Sequence, residues 1–147
     1  MKSSRLMSIF VAFFLIGLVG CGGSSTPPTS HGGPVKDYMS LVNHLRGVGA
    51  TIVPTGSVTQ PFFSVPGQAI AVNGEQVQAY EYADEEAANA DAARISPDGG
   101  TIGNTMVEWI APPHFYKVGQ LIVLYVGMNT SLMKILEMTL GPQFAGR

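Results

Sequence analysis

The chain has no means of forming an internal disulfide, because Cys21 is its one cysteine. Any fold it adopts is held by packing and hydrogen bonds alone. Charge is equally sparse, with 12% of residues Asp, Glu, Lys or Arg. After Cys21, six basic residues stand against ten acidic ones, a net charge of −4. No basic cluster is present to neutralise phosphates, which excludes a nucleic-acid partner. Histidine is limited to His31, His44 and His114. None shares a helix-spaced motif with a second histidine or with a carboxylate pair, so no metal and no cofactor is expected. The Gly-x-Ser-x-Gly elbow is missing. Asp98-Gly99-Gly100 lacks the Lys and Ser/Thr of a phosphate loop and reads as a turn. No apolar run reaches the ~20 residues of a membrane-spanning helix, and no repeat recurs at solenoid periods.

What is present begins at the N-terminus. Lys2 and Arg5 precede an apolar stretch from Ile9 to Leu18, and small residues follow. These are the three parts of a secretory signal. Leu18-Val19-Gly20-Cys21 resembles the lipobox of bacterial lipoproteins. The resemblance implies a thioether-linked diacylglyceryl group on Cys21, cleavage between Gly20 and Cys21, and acylation of the new terminus, with palmitate as a label. Each buried CH₂ contributes about 0.8 kcal/mol, and two chains anchor stably where one does not. The expected organisation is a signal peptide over 1–20, a lipidated Cys21 with a flexible Gly/Ser/Pro tether over 21–34, and one domain over 35–147. The expected location is the extracytoplasmic side of the cell envelope. Gly22 stands where inner-membrane retention favours aspartate, which tips the expectation to the outer membrane of a two-membrane cell.

Within the domain, Tyr38, Leu41, Val42, Leu45 and Val48 form one apolar stripe, predicting a helix over Asp37–Val48 that Gly49 ends. Thr51–Val53 and Ser57–Phe63 read as two short strands, the second at an edge because of Pro61. Asn73-Gly74 joins Gln68–Val72 to Glu75–Tyr82 as a hairpin that pairs Ile70 with Val77 and Val72 with Glu75. Tyr80 and Tyr82 then fall on the face opposite Val77. Asp84 caps an alanine-rich helix through Arg94 and Ile95. Thr105–Ile110 and His114–Val118 read as strands. Leu121–Val126 is apolar on both faces, as a central strand is. Asn129 caps a helix over Thr130–Leu140, and Phe144 pins the tail. The fold class is α+β: an antiparallel sheet with about three helices packed mainly on one face.

Two aromatic stretches are candidates for binding: Phe62-Phe63, and Trp109 with His114, Phe115 and Tyr116. Such residues offer contact area with a polar edge. The alternative is that they fill the core at strand ends. Glu81 and Glu108 interrupt apolar alternations and could work with His114 in acid–base chemistry, which requires hydrogen-bond reach. As outward strand residues they would instead meet solvent or pair with Arg46 or Arg94.

From Asp37 to Arg147 the chain resembles a family of small, uncharacterised bacterial lipoproteins. The stretches carrying the resemblance are Gly56–Gly67, Val72–Glu75, Tyr80–Tyr82, Ala111–Tyr116 and Leu140–Arg147. It implies no catalytic residues. The expected function is a membrane-anchored, non-catalytic envelope lipoprotein that binds a protein or small ligand. Two alternatives stand beside it. One is a small hydrolase or lyase using His114 with a carboxylate. The other is an inhibitor or assembly factor acting by strand addition at the Ser57–Phe63 edge.

Overall fold

The structure is a computed structural model that describes residues 34–146. The expected signal peptide, Cys21 and the tether as far as residue 33 lie outside the described residues, as does Arg147.

Helix α1 spans Tyr38–Gly47. Asp37 accepts from the Ser40 N–H at 2.8 Å and Ser40 Oγ accepts from the Asp37 N–H at 3.0 Å, a closed capping box. At the far end Gly49 takes φ +89. Its N–H bonds to the Arg46 carbonyl and the Ala50 N–H bonds to that of Leu45, a Schellman ending.

Strands β1 (Ile52–Val58), β2 (Gly67–Val72) and β3 (Glu75–Glu81) form an antiparallel meander. The Asn73-Gly74 turn has both φ values positive, 52 and 88, which a type I′ hairpin requires. Ile70 lies opposite Val77 and Val72 opposite Glu75, as the turn length dictates. The two short strands expected before this hairpin are one. Pro54 does not stop β1, because β1 is the edge of the sheet and an edge tolerates a missing N–H. The strand ends at Val58, and residues 61–65 turn inward instead of continuing it.

Helix α2 spans Glu85–Ala92, with Asp84 accepting from the Ala87 N–H at 2.8 Å. It stops short of Arg94 and Ile95. Strands β4 (Thr101–Ile102) and β5 (Thr105–Met106) make a small separate hairpin. The strand expected over Thr105–Ile110 therefore ends at Met106. Past it, the Trp109 Nε1–H donates to the Gly99 carbonyl at 2.8 Å, and the indole packs edge-on to Phe62 and Phe115. Burying that ring outweighs the local alternation that reads as strand.

Strands β6 (Pro113–Val118) and β7 (Leu121–Val126) follow, then α3 (Thr130–Leu140) and β8 (Ala145–Gly146). The main sheet has the order β1-β2-β3-β7-β6-β8, and its pairings are antiparallel. β7 is the third strand from the β8 edge, and Leu121–Tyr125 are buried. Its alternation divides the core in two. Leu121, Val123 and Tyr125 join Leu41, Leu45, Leu132 and Leu136 under α1 and α3. Ile122 and Leu124 join Phe62, Phe63, Tyr80, Tyr82, Ala88, Phe115 and Trp109 on the other face. Two helices thus share one face, while α2 and the loop segments cover part of the other. The chain crosses that second face between β3 and β6, which is why β7 enters the sheet between them.

Candidate functional site

The second face gathers most of the aromatic residues singled out from sequence, and it gathers them inward. Phe62 and Phe63 are both buried, although neighbours on one strand would point opposite ways. Residues 61–65 are not strand, so both rings can turn to the sheet. Phe63 lies 4.3 Å, centroid to centroid, from Tyr80, and Phe62 5.1 Å from Phe63. Phe115 is fully buried, and Trp109 is half-buried above it. Tyr116 is buried in the opposite cluster with α1 and α3. Burial pushes its phenol up to about 12, with the Glu137 charge and Tyr125 adding to the effect. Phe62, Phe63, Phe115 and Tyr116 are therefore core, and Trp109 is half-buried against Phe62 and Phe115.

His114 is 3% exposed. Its Nδ1 lies 2.7 Å from Gln143 Oε1 and its Nε2 3.0 Å from the Gly127 carbonyl, while its ring stacks on Tyr125 at 5.8 Å. Both ring nitrogens are thereby engaged in tying the C-terminal segment and the end of β7 to β6. Glu81 and Glu108 are exposed and are not among its hydrogen-bond partners. Glu81 accepts from the Tyr38 N–H and from Gln120 Nε2, at 3.0 and 2.8 Å. The structure does not assemble the expected acid–base pair.

A polar centre that the sequence reading missed lies beside the aromatic cluster. Asp91 is 5% exposed. Its Oδ2 accepts from the Ser64 N–H, Ser64 Oγ and Tyr82 Oη at 2.8, 2.8 and 2.9 Å, and its Oδ1 from Arg94 Nη1 at 2.9 Å. Burial raises the carboxyl, but these hydrogen bonds outweigh it and hold the group below its ordinary value. Burial, and then the Asp91 contact, push the Tyr82 phenol upward. The network pins the 59–66 segment to α2. Its signal in the sequence is Asp91 standing one turn after Ala88, on the face α2 buries. Among the described residues, no group of three or more His, Cys, Asp or Glu is placed to hold a metal ion.

Among the described residues, the β1 edge and the sheet face beside it are open. β1 pairs with β2 on one side and ends the sheet on the other. Its residues 53–57 are exposed. The register shifts between Pro54 and Gly56, leaving Thr55 as the extra residue of a bulge, with Gly56 at φ +126. Val53 pairs with Ala71, Ala71 with Gln76, and Ala69 with Gln78, so these side chains share the second face. The alanines are low enough for Thr55 Oγ1 to reach Gln76 Oε1 at 3.2 Å. Gln60 Nε2 reaches Gln78 Oε1, also at 3.2 Å. The whole run from 47 to 74, which includes β1 and β2, contains no Asp, Glu, Lys or Arg. No family model, no curated protein and no solved structure matches the chain.

Proposed function

We propose that this protein is a non-catalytic interaction module of the cell envelope. Lipid on Cys21 anchors it to the membrane, and an extended segment of a partner protein adds to its β1 edge. The observation that carries the proposal is an uncharged edge strand, exposed from 53 to 57 and lying within a charge-free stretch. Edge strands commonly carry lysine or other charge to repel further strands. β1 carries only the milder devices, Pro54 and a bulge. The edge runs over Ile52–Val58 and not over the Ser57–Phe63 segment read from sequence, because Pro54 does not stop the strand and Phe62 and Phe63 turn into the core. Main-chain hydrogen bonds would supply affinity for an added strand, and the Val53–Ala71–Gln76 face would contact its alternate side chains.

Two experiments test the two halves. Labelled palmitate should enter the full chain in cells, and Cys21→Ser should abolish it; equal labelling of the variant refutes the anchor. A photo-crosslinking amino acid at Val53 or Ser57 should capture an envelope protein that the same probe at Met138, on α3, does not. Ser57→Lys should weaken that capture. Equal capture from Met138, or none from β1, refutes the edge.

A further inference from the structure

Methionine is the sulfur residue of this domain, since Cys21 lies outside the described residues. It is placed unusually for an apolar side chain. Met39, Met106, Met128 and Met138 are 63%, 82%, 76% and 63% exposed. Met133 alone packs against the core under α1 and α3. The four exposed thioethers come from separate elements: α1, β5, the turn before α3, and the last turn of α3. Trp109, another oxidisable side chain, is half-buried with its N–H held by the Gly99 carbonyl.

From this placement we infer that Met39, Met106, Met128 and Met138 are reversible oxidation sites that consume a peroxide without loss of the fold. The step is oxygen transfer. A sulfur lone pair attacks one peroxide oxygen, the S–O bond forms and the O–O bond breaks. The departing hydroxide takes up the remaining proton as water. Sulfur loses two electrons and the peroxide gains them. The sulfoxide oxygen is a strong acceptor that needs a partner. At the four exposed positions water supplies it, so the polar product leaves packing intact. Met133 is only partly exposed and packs against the apolar cluster beneath α1 and α3, which slows access and disfavours the polar product. The selectivity follows from burial and is independent of how β1 is used.

The test uses the full chain in detergent, treated with increasing hydrogen peroxide, then digested and weighed peptide by peptide. The four exposed methionines should oxidise at similar rates, and the half-buried Met133 should oxidise more slowly than any of them. Near-ultraviolet circular dichroism should be retained when all four carry oxygen. A dithiol with methionine sulfoxide reductase should return those peptides to their starting mass. Replacing the four with leucine should cut peroxide consumption by the described part to that of Met133. Oxidation of Met133 in step with the others, or loss of the near-ultraviolet signal before the fourth oxygen is added, would overturn the inference.

Discussion

Truncating Asp91 is the sharpest test of what holds the second face together. Asp91→Ala removes the acceptor for four donors at once. Ser64 and Arg94 are exposed enough for the Ser64 hydroxyl and the guanidinium to turn to water. The Tyr82 hydroxyl is not, since Tyr82 is 2% exposed. Hydrogen bonds to a charged group contribute about 1.5–3 kcal/mol each, and an orphaned buried donor costs about 1–3 kcal/mol. With two of the four donors able to find water, Asp91→Ala should destabilise by about 3–5 kcal/mol. Tyr82→Phe leaves the carboxylate with three donors and should cost about 1–2 kcal/mol. The double variant has no stranded hydroxyl, so its loss should fall short of the sum by about 1 kcal/mol or more. Urea unfolding followed by the fluorescence of Trp109 reads all three, because the indole sits in the same cluster. A cost for Asp91→Ala below about 1 kcal/mol, or strict additivity, would refute the reasoning. Acid provides a second reading. The folded carboxyl lies below its ordinary value of 3.8, so its stabilisation is complete above that value and is lost as pH falls through the folded value. Below pH about 4, wild-type stability should therefore fall more steeply than that of Asp91→Asn, which has no proton to bind there.

Three further outcomes are expected. A Cβ at Gly67 would come within 2.7 Å of the Tyr80 ring, so Gly67→Val should destabilise by about 1–3 kcal/mol in the same urea assay. Gly146 has φ +88 and its Cβ would strike the Pro113 carbonyl. Gly146→Ala should detach β8 and speed hydrogen exchange at the Phe144 and Gly146 amides by at least about tenfold, and unchanged exchange there would contradict it. Tyr116, pushed up to about 12 from 10.0, stays neutral where unfolded tyrosine ionises. Its stabilisation is full below pH 10 and is lost as pH rises toward 12, so phenolate absorbance of Tyr116 should appear together with unfolding.

Local chemistry was legible where one or two residues settle the backbone. Asn73-Gly74 set a turn type and therefore a register, and Asp84 and Asn129 each cap the helix they precede, whereas Asp37, read as the first helical residue, is itself the cap. Leu121–Val126 announced a strand buried on both faces. The candidate site was not legible in the same way. Phe62, Phe63, Trp109 and Phe115 are apolar enough for either a surface or a core, and sequence alone does not say which face has a cover. His114 offers two ring nitrogens but not the identity of Gln143 and Gly127 as their partners, which come from segments 29 and 13 residues away.

By itself, then, the sequence determined the α+β class, the central strand, the hairpin register, the helix starts at Asp84 and Asn129 and the impossibility of an internal disulfide. Each of these follows from short-range geometry or from composition. Only the tertiary structure decided that β7 enters between β3 and β6, that the aromatic residues close over the second face, that Asp91 is a buried hub, and that β1 stays open. Those outcomes depend on which distant segments bury one another. That choice is made by the sum of packing over the whole sheet, and no local pattern encodes it.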